Sequence, residues 1–270
     1  MRRASRETPK TPEAIPSIRP NEGITAWYQR QLDHRIVKMH KSLLHWLSVE
    51  FRRLGIEQGY AQDAIPSIAL RRELRKLTGT WQGVFDKMAG WMSEQFAERV
   101  VHFSDGTLDK RLRTKGFSVR FVQTDEMKDA YGAVVGEQVS LIKSIAAEHL
   151  QEVEGLVMRS VARGRDLGYL THELQERYGI TRRRAAFIAR DQNNKATSTM
   201  QAARQKQLGI SKGIWKHSHA GKVPRPSHVK ADGKEFSLDK GMFLDGKWVM
   251  PGEEPNCRCT WKAIIPGLNS

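Results

Sequence analysis

The stretch GIWKHSHAGKVPRPSHVKADGKEF (residues 213–236), followed by PGEEPNCRCTW (residues 251–261), decides how this chain is read. It holds both cysteines and three of the nine histidines. Upstream, apolar residues recur every three or four positions, the spacing of a buried helix face. Here that spacing stops. Ile214-Trp215-Lys216-His217 and the run from Thr260 to Ile265 read as strands, with Lys247 to Met250 as a third, separated by turn residues. The expected fold is mainly α, with long helices, an elongated outline and a small α+β C-terminal unit.

Working back from that unit, residues 125–163 read as one long helix with Asp125 and Glu126 where a helix N-terminus favours acids. Thr171 then opens a short helix that Gly179 stops, and Thr181 caps the next, whose first turn holds Arg182, Arg183 and Arg184. Further upstream, Trp27, Leu32, Ile36, Met39, Leu43, Trp46, Leu47 and Phe51 mark one helix. Pro66 opens another through Leu77, and Thr78-Gly79-Thr80 breaks it. Trp81, Phe85, Met88, Trp91, Met92 and Phe96 mark a third, and tryptophan and methionine at this spacing read as core. Ser104-Asp105-Gly106 reads as a turn opening a hinge over residues 104–124, with a short extended piece near Phe121. Residues 1–22 are basic, carry four prolines and read as an arm that builds no core. The expected divisions are an arm (1–22), an N-terminal helical region (23–124), a helical lead-in (125–209) and the C-terminal unit (210–270).

The chain of 270 residues has length enough for a real core, and its net charge is +15. Lys plus Arg outnumber Asp plus Glu by 22 to 13 in residues 1–120 and by 12 to 6 in residues 201–270, but acids lead 7 to 3 in residues 121–160. Basic charge at both ends around one acidic helix favours a polyanionic partner, nucleic acid first. Arg111, Arg113, Lys115, Arg182, Arg183 and Arg184 are the candidate phosphate contacts. Two cysteines at C-x-C spacing build no disulfide framework, so a reducing compartment is expected. Neither a secretion signal nor a membrane span is read.

In a strand, residues i and i+2 share a face. His217 and His219 therefore share one, and Cys257 and Cys259 share another. If the strands bring those faces together, imidazoles and thiols converge into a tetrahedral set for a structural zinc, with His228 as a fifth candidate. The other reading makes the cysteines small buried hydrophobes and His228 a hydrogen-bonded core residue. Catalytic readings exist too: a cysteine near His228 as nucleophile and base, or His228 with Asp232 assisting a hydrolytic water. No nuclease, protease or phosphate-binding motif accompanies them. A non-enzymatic chain is expected, with a metal-dependent nucleic-acid hydrolase as the alternative.

One ordered series carries a resemblance. IARDQ (188–192) is followed by Gly209, Trp215, PRPSH (224–228), Asp232-Gly233, Phe236, Phe243, Pro251-Gly252 and PNCRC (255–259). A lead-in of long helix, GRDLGYL, a short helix ending YGI, and TRRRAAFIAR precedes it. Over residues 135–265 this resembles the phage Mu F-like head morphogenesis family, minor head proteins of tailed bacteriophages. It departs at Asp191-Gln192, where many members carry Thr-Glu. Carried over by position, Trp215, Arg225, His228, Asp232, Gly233, Cys257, Arg258 and Cys259 form the signature. The resemblance implies a virion component made in the host cytoplasm, located at the portal vertex or capsid interior. Portal protein, major capsid protein and double-stranded DNA are its implied partners, in head assembly, genome packaging or delivery.

Overall fold

The computed structural model describes residues 14–56, 66–163, 167–220 and 223–266. Their element order is β1 (Ala14–Ile15), α1 (Glu22–Ile56), α2 (Pro66–Arg113), α3 (Asp125–Ala162), α4 (Leu167–Gln207), β2 (Lys212–Lys216), α5 (Pro226–Ala231), β3 (Glu235–Ser237), β4 (Met242–Leu244), β5 (Lys247–Val249) and β6 (Thr260–Ile264). The fold is mainly α with a small C-terminal sheet unit, as the sequence pattern indicates. No described helix is long and apolar enough to cross a membrane.

Two compact units form, each from separated stretches of chain. One gathers the described residues of 22–56, 66–98, 133–163 and 167–192. Its core is helical: Tyr28, Leu32, Ile36, Met39, Leu43 and Leu47 of α1 are fully buried at spacings of three and four. Phe85, Met92 and Phe96 of α2 and Ile142, Ile145 and Val153 of α3 are buried in the same way. A polar ladder runs through this core: Tyr28 Oη donates to Gln138 Oε1 at 2.8 Å, Gln138 Nε2 donates to Gln192 Oε1, and Gln192 Nε2 donates to Glu137 Oε1 at 3.0 Å. Buried amides need such partners, because an unmet donor or acceptor costs about 1–3 kcal/mol.

The other unit gathers the described residues of 14–21, 99–132, 193–220 and 223–266. Its sheet has the order β1-β6-β2-β3, every pairing antiparallel, and β4-β5 form a separate hairpin. Period-two burial along β2 and β6 turns Trp215 and Trp261, cross-strand partners, onto one buried face. Gly213 lies between Phe236 and Ala263, and a Cβ there would come within 2.7 Å of the Trp261 ring and 3.1 Å of the Phe236 ring. The absence of a side chain lets those rings close over β2. Trp261 Nε1 donates to Gln205 Oε1 at 2.7 Å and so fastens the sheet to α4.

Several boundaries differ from the sequence reading. α2 continues through Gly79 and through Ser104-Asp105-Gly106. Thr80 Oγ1 bonds back to the Lys76 carbonyl inside the helix, and Leu108 and Leu112 carry the buried stripe onward. α4 likewise runs through Gly179. Thr181 is therefore no cap: its hydroxyl donates to the Arg177 carbonyl at 3.0 Å, and Arg182, Arg183 and Arg184 lie in mid-helix. Trp46 and Trp91 are exposed rather than core. The arm builds core after all within residues 14–21: Ala14 and Ile15 pair with Ile264 and Ala263, and Ile15 and Ile18 are fully buried. Residues 1–13 lie outside the described residues.

Candidate functional site

Three side chains converge beside the buried face of the sheet. His228 comes from α5, which Pro226 opens at a position where a missing N–H costs nothing. Cys257 and Cys259 come from the turn leading into β6. His228 Nδ1 lies 3.5 Å from Cys257 Sγ and 3.7 Å from Cys259 Sγ, and all three residues are buried. On its other side, His228 Nε2 meets Glu254 Oε2 at 2.9 Å. Lys247 and Arg225 hold Glu254 in turn, at 2.5 and 3.4 Å, and the Lys247 ammonium chiefly keeps its carboxyl below the usual range. The Trp215 ring stands edge-on to His228 with centroids 5.2 Å apart.

The two sulfurs differ. Cys257 is brought down to about 6, first by the hydrogen bond from Cys259, then by backbone N–H groups of Cys259 and Gly252 and by His228, against the effect of burial. Cys259 is pushed up by that same bond and by burial. The two sulfurs titrate as a pair in which Cys257 is the easier to ionise, a condition that favours metal ligation or nucleophilic chemistry.

A D-G turn fixes α5 to β2. Asp232 Oδ1 accepts the His217 backbone N–H at 2.9 Å, an interaction that lowers the carboxyl below its ordinary range. Gly233, at φ 80°, donates its N–H to the Trp215 carbonyl at 2.9 Å. Arg225 Nη2 reaches the Pro255 carbonyl at 3.0 Å and Arg258 Nη1 the Ala220 carbonyl at 3.2 Å. Trp215, Arg225, Asp232, Gly233 and Arg258 thus hold the loops that present His228, Cys257 and Cys259.

Not every sequence candidate arrives at this cluster. β2 ends at Lys216, and the chain then turns through His219 at φ 52°. His217 Nδ1 accepts the His219 N–H at 3.2 Å, and His219 Nε2 lies 3.6 Å from Asp232 Oδ2. Among the described residues, His228, Cys257 and Cys259 form the set close enough to share an ion, without His217 and His219. Glu254 was missed in the sequence, although it stands three residues before Cys257 in EEPNC.

The basic candidates divide equally between the two compact units. Arg182 pairs with Asp33 at 3.2 Å, and Arg184 pairs with Glu148 at 2.8 Å and Ser144 at 3.0 Å. Both tie helices together, while Arg183 is exposed. Arg111 donates to the Pro16 carbonyl, Arg113 pairs with Asp109 at 2.8 Å, and Lys115 follows the end of α2.

Residues 151–262, from the second half of α3 to β6, match the model of a family described as Phage Mu protein F like protein. That segment is similar to the phage Mu F-like family. The family points to phage head morphogenesis. The matched segment contains all three clustered side chains, but β1, Leu108 and Leu112, which lie outside it, share the core of the same unit. An uncharacterized protein of Haemophilus influenzae (strain ATCC 51907 / DSM 11121 / KW20 / Rd) is 26% identical over 244 residues, covering 88% of this chain. The chain spans about half the length of that relative, 53%. No solved structure matches it.

Proposed function

We propose that the chain is a minor head protein of a tailed bacteriophage, made in the host cytoplasm and carried in the virion at the portal vertex or capsid interior. It binds portal and major capsid protein and touches packaged double-stranded DNA. The observation that carries this reading is the match of residues 151–262 to the Mu F-like family. Two further features support it. The signature residues Trp215, Arg225, Asp232, Gly233 and Arg258 make packing and hydrogen-bond contacts that hold the local fold. The charge of +15 suits a partner rich in phosphate.

Mass spectrometry of purified phage particles from a host carrying this gene tests the reading. The chain is expected at a few copies per particle. Its absence from intact particles, with portal and capsid proteins present, sinks the proposal.

A further inference from the structure

We propose that His228, Cys257 and Cys259 bind one zinc ion as a Cys2His site whose fourth position opens onto a cavity and takes an exchangeable water or small anion. Zinc–sulfur bonds of about 2.3 Å and zinc–nitrogen bonds of about 2.0–2.1 Å, at tetrahedral angles, separate sulfur from nitrogen by about 3.6 Å. The observed separations of 3.5 and 3.7 Å from His228 Nδ1 to the two sulfurs are those edges. The donors are pre-set for an ion between them.

The surrounding groups fit the same assignment. A histidine ligand on zinc usually gives its other N–H to a carboxylate, which fixes the tautomer and aims the free nitrogen at the metal. Glu254 Oε2, 2.9 Å from His228 Nε2, supplies that carboxylate and leaves the Nδ1 lone pair facing the sulfurs. The Trp215 indole N–H is buried with no hydrogen-bond partner, and its ring stands edge-on to His228 beside the cluster.

The fourth position is the feature that composition does not give. Structural zinc sites close with four protein ligands, whereas three ligands leave a place for an outside one. Among the described residues no fourth His, Cys, Asp or Glu joins the cluster. Instead the three ligands line a cavity of about 250 Å3, shared with His217, Ser218, Arg225 and Arg258. Two thiolates neutralise the dication, and Arg225 and Arg258, which line the cavity, favour an anion as the exchangeable ligand. Glu254 acts as a positioning residue.

Elemental analysis and cobalt substitution of the full chain test this. After loading and dialysis without chelator, one zinc per chain is expected. The cobalt form should show thiolate charge-transfer absorption and the visible bands of a tetrahedral ion, and azide should shift those bands. Cys257→Ser, Cys259→Ser and His228→Ala should lose the charge-transfer signal or the ion, whereas His217→Ala and His219→Ala keep both. Glu254→Gln retains a hydrogen-bonding group and should fold, with zinc held 10–100-fold more weakly. Sub-stoichiometric zinc, or a cobalt form without thiolate absorption, overturns the site. Loss of the ion in His217→Ala overturns the ligand set, an unchanged affinity in Glu254→Gln overturns the positioning role, and bands indifferent to azide overturn the open position. None of these outcomes touches the head-protein reading, which the particle analysis decides separately.

Discussion

His149 shows how a single side chain in the helical unit sets a pH dependence. Its Nδ1 lies 2.8 Å from Thr181 Oγ1, whose one proton already goes to the Arg177 carbonyl. The histidine must therefore donate from Nδ1, which leaves a lone pair on Nε2, buried and without a partner. Protonation would place a charge there with nothing to accept the new N–H. Burial first, then Arg177 and His40, lower the group from 6.5 to about 4. Between those values the unfolded chain binds the proton and the folded chain does not, so stability falls as pH drops from about 6.5 to 4 and levels off below. The full loss is on the order of 3 kcal/mol at about 1.4 kcal/mol per unit. His40, lowered chiefly by burial and stacked on Tyr178, moves the same way. Urea unfolding of the wild type and His149→Gln across this range checks the assignment: the variant should show a clearly flatter pH dependence. An unchanged slope would remove His149 as its source.

Between elements, Arg204 of α4 does the corresponding work in the sheet-bearing unit. It is nearly fully buried, forks onto both oxygens of Asp105 at 2.8 Å and donates to the Val122 carbonyl at 2.6 Å. One guanidinium thus joins α2, the α2–α3 connection and α4. Arg204→Ala leaves the Asp105 carboxylate without its partner, a change that costs about 3–5 kcal/mol for a buried pair. Arg204→Lys should recover little, because a point charge cannot fork across both oxygens. Tryptophan fluorescence during urea unfolding, to which Trp215 and Trp261 contribute, would show the shift, and a midpoint unmoved in both variants would contradict it. The same contact explains why Ser104-Asp105-Gly106 misleads as a turn. Local propensity disfavours helix there by about 1 kcal/mol at the glycine, but Asp105 answers Arg204, 99 residues away in sequence. Helical stripes were legible because they depend on neighbours three and four positions off. β1 was not, since Ile15 reads as a strand only once Ala263 lies beside it. At the site, the residue types and the C-x-C spacing were legible. The choice of His228 over His217 was not, because the alternation rule fails where the chain turns through His219.

At the scale of the whole chain, the charge of +15 gives the DNA component of the proposed function its test. Each phosphate neutralised by a Lys or Arg releases counterions, so log affinity should fall linearly with log salt, by about 0.9 per contact on duplex DNA. The six sequence candidates do not contribute alike. Arg182 and Arg184 are committed to Asp33 and Glu148, partly exposed pairs worth up to about 1 kcal/mol each to helix packing. Arg182→Ala and Arg184→Ala should therefore lower the unfolding midpoint. Arg183, exposed on the same turn, should behave in the opposite way. Its replacement by Ala should leave stability within about 0.5 kcal/mol while reducing the salt slope by about 1. Binding of a random-sequence duplex across a salt series measures both quantities on the intact chain. A flat salt response in the wild type would take DNA out of the function and leave an acidic protein surface as the partner that the basic charge serves.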